Sequence, residues 1–314
     1  MRTLVFGAGP LGCLYAHLLG QAGKDVTILA RGQRYDFIKA NGLVLVDEIT
    51  GARGGSKVQV VDELKEYDQY DLVVVLIRKN KLPPVFEALR ANANINNILF
   101  MGNNALGFEQ YLRHLPQEKL LFGFPGAGGG TSEHTVHYVD REKAGGKRKS
   151  ITIGEINGET KERTQVVKSL FETSGVPVKI TGDIDGWLKY HAALVLPLGN
   201  ALYKHDCDNY ALAKDKRTIR MMVRAAKEGG RVLKALGYTK RYPFQFNLFY
   251  WLPEILNVKA VQGLLESKFA EVGFTLHARA ARDEVRVLAD EFQSLIDNTS
   301  VETPNIDTLR SFVT

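Results

Sequence analysis

Residues 4–12 read Leu4-Val5-Phe6-Gly7-Ala8-Gly9-Pro10-Leu11-Gly12, an apolar run leading into Gly-x-Gly-x-x-Gly. Glycines at this spacing do phosphate chemistry without any reactive side chain. Gly7 permits a tight turn, Gly9 lets the backbone approach a pyrophosphate, and Gly12 lets the next helix pack on the strand. Ala8, Pro10 and Leu11 complete the loop. The helix-compatible stretch Cys13 to Gln21 then offers unpaired N–H groups and partial positive charge at its start. A second apolar run, Val26-Thr27-Ile28-Leu29, falls where the next parallel strand belongs. The pattern reads as a dinucleotide site.

The residue after that second strand selects the dinucleotide. NAD sites usually carry Asp or Glu about 20 residues past the glycines, to hold ribose hydroxyls. Here Leu29-Ala30-Arg31-Gly32-Gln33-Arg34 holds no carboxylate, and Asp25 lies at the wrong end of the strand. Arg31 can stack on adenine or fork onto a 2′-phosphate. The alternative is two solvated surface arginines. NADP(H) is the expected cofactor.

The elements that must position these groups follow from length and pattern. At 314 residues, 45% hydrophobic and 24% charged, the chain suits two soluble domains with substantial cores. No apolar run reaches the ~18–20 residues of a membrane span, and the N-terminus enters a strand directly. Two widely spaced cysteines show no metal-ligand pattern, and the cytoplasm is the expected location. The net charge of +6 suits anionic ligands, but its residues are dispersed and no nucleic-acid motif is present. The basic stretch Lys143–Lys149 reads as a solvated hairpin turn. His134 and His137 have His-x-x-His spacing, but on a strand they face opposite ways, so no metal site is expected.

Strand-like and helix-like segments alternate through residues 1–181, as in a doubly wound, Rossmann-type parallel sheet. Further strands are expected at 43–46, 57–61, 71–77, 97–101 and 120–124, the last ending in a small-residue loop, 125–130. Segments 136–140 and 149–154 read as antiparallel additions around the basic turn. Arg31, Arg78, Asn104 and the 125–130 loop fall at strand carboxyl ends, where such sheets bind ligands. Residues 182–314 show only helical periodicity, as at Ile219–Leu236 and Ala260–Leu295, and predict an all-helical second domain. The hinge is expected near Thr181-Gly182-Asp183, with the active site in the cleft between domains.

This arrangement resembles the ketopantoate reductase (2-dehydropantoate 2-reductase) family. Four places carry the resemblance: Gly7–Gly12 with Arg31; Asn103-Asn104-Ala105-Leu106-Gly107, similar to an Asn-Gly-x-Gly turn; Trp187-Leu188-Lys189, similar to Trp-x-Lys; and Glu284, twenty residues before Pro304-Asn305-Ile306-Asp307-Thr308-Leu309. The resemblance implies NADPH-dependent reduction of a 2-keto acid to a 2-hydroxy acid, the chemistry of pantothenate biosynthesis. It implies Lys189 as general acid, since an ammonium also stabilises charge growing on the carbonyl oxygen. It also implies that Glu284 binds a substrate hydroxyl, that Asn104 holds the nicotinamide ribose or substrate, and that Arg78 replaces a cofactor-contacting lysine.

Departures from the family pattern accompany these matches. The two substrate-binding asparagines beyond the lysine are replaced by Ala193 and Pro197, and the next amide is Asn200, about three turns along. The family's serine falls on Val272, with Ser267 and Thr275 nearby. His191 lies about 200° around the helix from Lys189 and reads as packing. The aromatic run Tyr242–Trp251 suits helical core, a homodimer contact, or a wall for a larger apolar substrate. The expectations are therefore a 2-keto acid reductase, a relative acting on a bulkier ketone or imine, or a non-catalytic NADPH-binding sensor.

Overall fold

A computed structural model describes residues 1–313. By contact these form two compact units, 1–102 with 108–184, and 103–107 with 185–313. Residues 103–107 thus pack with the second unit although they lie, in sequence, inside the first.

The strands of the first unit are β1 (Thr3–Phe6), β2 (Val26–Leu29), β3 (Leu43–Asp47), β4 (Arg53–Ser56), β5 (Gln59–Val61), β6 (Tyr70–Val75), β7 (Ile95–Met101), β8 (Leu120–Phe124), β9 (Gly128–Ser132), β10 (Thr135–Val139), β11 (Ile151–Gly154) and β12 (Val178–Ile180). Eight form one sheet in the order β12-β11-β8-β7-β6-β1-β2-β5. Every pairing in it is parallel except β11 with β8. Continuous apolar runs such as Leu72–Val75 sit at its centre, fully buried, as expected of strands covered on both faces. This is a Rossmann-type sheet, and the chain after it is helical.

The hairpin expected around the basic turn does not form. β10 pairs with β3 and β9 in a second, four-stranded sheet, whereas β11 joins the large sheet. Residues 140–150 are held instead by a buried carboxylate. Asp140 accepts from Arg141 Nε and Arg148 Nε, each at 2.7 Å. A carboxylate so buried needs paired cations, so part of the basic cluster is structural rather than solvated. The small-residue loop at 125–130 is likewise half strand. A Cβ at Gly129 would lie 2.4 Å from the His137 carbonyl, so the close pairing of β9 with β10 requires glycine at 129.

In the second unit the helix Ile184–Lys204 continues through Pro197 without ending. The stretch 260–295 is not one helix. It breaks after Leu265, where Ser267 accepts from Ala270 N and caps a new turn, and again at Ala281 before the helix Arg282–Ile296. Asp215 caps the helix Lys216–Ala235, accepting from the backbone and hydroxyl of Thr218 at 3.0 and 2.6 Å. Burial pushes this carboxyl up, but bonds from Thr218 and Lys204 outweigh it and hold Asp215 below the usual carboxylate range. Its contribution is therefore complete above the unfolded value and is lost as acid protonates it. Among the described residues no helix is long and apolar enough to cross a membrane.

Glu228, only 3% exposed, accepts from the Asn305 and Ile306 amides at 3.0 and 2.9 Å and anchors the helix Pro304–Arg310. Glu228→Ala strands those donors and should cost about 1–3 kcal/mol in urea unfolding. An unchanged midpoint would show that water replaces the carboxylate.

Candidate active site

The chain crosses from β2 on one side of β1 to β6 on the other, so β1 ends at a topological switch point. Phe6 is in register with Leu29 and with Val75. The glycine turn, Arg31 and Arg78 are therefore brought to one edge of the sheet.

The three glycines answer to different neighbours. Gly7 has φ +118°, and a Cβ there would lie 2.8 Å from the Leu76 carbonyl. A Cβ at Gly12 would lie 1.8 Å from the Gly7 carbonyl, so the helix Pro10–Gln21 could not dock. Gly9 has extended backbone and would meet nothing within 4 Å. No protein atom explains Gly9. Its bare face lies open beside the helix N-terminus.

The two arginines after β2 part company. Arg34 donates to the Ala8 carbonyl at 3.2 Å, the His134 carbonyl at 2.6 Å and Cys13 Sγ at 3.1 Å. It braces the glycine loop. Burial pushes the Cys13 thiol up, against the neighbouring guanidinium. Arg31 is exposed at the strand end, and Arg78 is partly buried.

In the second unit Lys189 is 4% exposed and forms an ion pair with Asp185, one turn earlier on the same helix. Tyr238 donates its hydroxyl to the other oxygen of Asp185 at 2.6 Å, and its ring centroid is 5.0 Å from Lys189 Nζ. Gly107, with φ +84°, closes over the pair. A Cβ there would lie 3.1 Å from Asp185 Oδ1 and 3.4 Å from Lys189 Nζ.

The segment 103–107 is pinned at three points. Asn104 donates to the Gly107 carbonyl at 2.7 Å and closes its own turn. The Ala105 amide donates to Glu291 Oε2 at 3.2 Å. Asn103 reaches Glu284 Oε1 at 3.5 Å. Glu284 Oε2 and Asn103 Oδ1 are both buried without a hydrogen-bond partner, and His277 Nε2 lies 3.6 Å from the former. Acceptors left open in so buried a place are met by water or by a ligand that brings donors.

Other sequence candidates fall elsewhere. His191 stacks on Trp187, and burial pushes it down to about 3, so it stays neutral. Ala193 is buried where the helices cross, and a Cβ at Gly229 would lie 2.9 Å from its own Cβ. Pro197 and Asn200 line a cavity of about 20 Å³, space for about one water to meet the open Asn200 Oδ1. Thr275 is spent on Asn209 and Ser267 on its cap. His134 stacks on Phe37, while His137 pairs with Glu48. In the aromatic run, Phe246 is core, whereas Phe244 and Trp251 point outward.

Asp185, Tyr238, Asn103 and Glu291 were not singled out from sequence. Asp185 had a signal, an acid four residues before a lysine on one helix face. Tyr238 had none.

A family model described as Ketopantoate reductase PanE/ApbA matches residues 3–158. The chain belongs to the ketopantoate reductase family. Among curated relatives, the chain is 27% identical over 195 residues to the uncharacterized oxidoreductase YkpB of Bacillus subtilis, covering 60% of this chain and 61% of that protein. It therefore spans about three fifths of that relative. It is 23% identical over 238 residues to 2-dehydropantoate 2-reductase of Pyrococcus horikoshii, covering 74% and 73%. Among solved structures, 2-dehydropantoate 2-reductase from Geobacter metallireducens superposes with TM-score 0.81 at 18% identity, covering 100% and 99%. A ternary structure of D-mandelate dehydrogenase with NADH and anilino(oxo)acetate gives 0.77 at 16%, covering 100% and 97%. At such identities the likeness establishes the family fold.

Gly9→Ala should leave the thermal midpoint unchanged while weakening binding of a pyridine dinucleotide at least tenfold, read by nucleotide fluorescence titration. Equal affinity would mean that the space beside Gly9 is not the phosphate site. Gly107→Ala forces a left-handed alanine and should cost about 1–2 kcal/mol in thermal or urea unfolding.

Proposed function

We propose that this chain is an NADPH-dependent reductase of a 2-keto acid, with Lys189 as the proton donor. The observation that carries the reading is the buried Lys189 ammonium beside the same short segment that leaves Asn103 and Glu284 with open acceptors. Residues 1–181 are assigned to the dinucleotide and residues 182–314, joined by 103–107, to the substrate.

The glycine loop, with Arg31 and Arg78 at the same sheet edge, would hold the dinucleotide. Arg31 fits a 2′-phosphate because it is an exposed, uncommitted fork where an NAD site would carry a carboxylate. When bound, the dihydronicotinamide supplies a hydride to the carbonyl carbon. The carbonyl π pair then moves to oxygen, which takes a proton from Lys189 Nζ, and the 2-hydroxy acid results. The ammonium also offsets negative charge on that oxygen before the proton moves. Glu284 and Asn103 accept hydrogen bonds from hydroxyls and orient the ligand.

A second reading concerns substrate size. Ala193 and Pro197 present no amide, so a 2-keto acid with an apolar substituent suits this chain as well as ketopantoate. The D-mandelate dehydrogenase neighbour holds an oxo acid with an aryl group in its solved complex.

The test follows NADPH oxidation with ketopantoate and with aryl and branched 2-keto acids. Lys189→Ala should lower turnover by about 10²–10⁴-fold, the usual range for a general acid. Retained turnover in that variant would exclude Lys189 as donor. If NADPH binds but no keto acid is reduced by the parent chain, a sensor replaces the reductase. Arg31→Ala should raise KM for NADPH by about 10–100-fold, the loss of one charged hydrogen-bonded contact, and leave NADH almost unaffected. A parent preference for NADH would overturn the NADP assignment.

A further inference from the structure

We infer that Asp185 and Tyr238 are positioning residues for Lys189: they keep its ammonium charged and aimed while it is almost wholly removed from water. The inference rests on the proposed role of Lys189 as proton donor.

The physical problem is specific. Lys189 is 4% exposed, and an isolated ammonium at that depth favours its neutral form unless a counter-charge is close. A neutral amine cannot act as the acid. Asp185 supplies the counter-charge from the preceding turn, in the acid-before-base order that suits a helix. Long side chains paired on a helix face usually remain mobile and contribute little. Here both partners are fixed. Tyr238 holds the second Asp185 oxygen at 2.6 Å and sets its ring beside Nζ, where a cation is favoured. Tyr238 is itself placed by the buried Tyr190, whose hydroxyl donates to the Tyr238 carbonyl at 2.6 Å. From the other side, Gly107 brings backbone rather than a side chain against the pair.

Other charges around this segment have separate engagements. Glu284 bonds Asn103 and lies near His277, and Glu291 bonds the Ala105 amide. Asp185 therefore has a function distinct from the general helix ion pair that its spacing suggests.

Two variants test this, Asp185→Asn and Tyr238→Phe, with two readouts. In steady-state reduction, kcat should fall more than KM rises. The alkaline limb of the kcat profile should move about 1–3 pH units lower in Asp185→Asn, the size of one close charge, and less in Tyr238→Phe. Independently of turnover, labelling of Lys189 by trinitrobenzenesulfonate, followed by peptide mass spectrometry, should reach half its maximal rate at lower pH in both variants. Asp185→Glu should restore part of both readouts. Unchanged labelling and an unshifted limb, with only stability reduced, would overturn the inference and leave a structural ion pair. A shifted labelling curve in a chain that reduces no keto acid would uphold the positioning and sink the proton-donor reading instead. Should Asp185→Asn fail to fold, Tyr238→Phe carries the same decision.

Discussion

The Glu291 carboxylate accepts the backbone N–H of Ala105 inside the second unit, and both groups are buried. Neither tolerates being left alone, because an unpaired buried charge or amide costs several times what a surface hydrogen bond gains. The bond therefore ties a five-residue segment, covalently part of a strand-to-helix connection, to the helix Arg282–Ile296. Once Ala105 is fixed, Asn103 meets Glu284 two turns earlier on that helix. Asn104 closes the turn, and Gly107 takes the left-handed conformation that lets its backbone approach Lys189. The candidate site is assembled around this backbone segment rather than around a long side chain.

The glycine loop follows the opposite logic. Gly7 and Gly12 are required by the protein itself, through a turn and a helix contact that no Cβ permits. Gly9 is not. A Cβ there would meet open space, and the neighbouring N-terminus of Pro10–Gln21 is of the kind that favours an anion. Arg34 strengthens the same loop from within by donating to the Ala8 carbonyl. Arg31, three residues earlier, is thereby distinguished from it by environment rather than by type.

What could be read from sequence divides along the distance between interacting residues. Gly-x-Gly-x-x-Gly, the following helix and the valine-rich strand expected at 71–77, which forms over Tyr70–Val75, were legible because each is a local pattern with one structural solution. The pairing of β10 and β11 was not. Two strand-like segments about a basic turn look like a hairpin, and nothing local announces that Asp140 is buried with Arg141 and Arg148 or that each strand joins another sheet. The helix Ile184–Lys204 runs through Pro197, so Asn200 stays about three turns beyond Lys189. Lys189 and Glu284 were reached only through resemblance, and Tyr238, forty-nine residues beyond Lys189, had no pattern to reveal it.

The loss of the family's amides takes a different meaning once packing is known. A Cβ at Gly229 would lie 2.9 Å from the Ala193 Cβ, so the helices approach closely there, and Ala193 lines the same small cavity as Pro197 and Asn200. Pro197 and Asn200 enclose only a water-sized cavity. The groups proposed for recognition in this unit lie instead at the 103–107 segment. These are acceptors, Asn103 Oδ1 and Glu284 Oε2, with the Lys189 ammonium as the cationic donor. A ligand complementary to that set offers hydroxyl donors to the acceptors and an anionic or carbonyl oxygen to the lysine. A 2-hydroxy acid has both, and its 2-keto partner loses one donor at the reacting carbon. By that chemistry the two acceptors suit the 2-hydroxy acid.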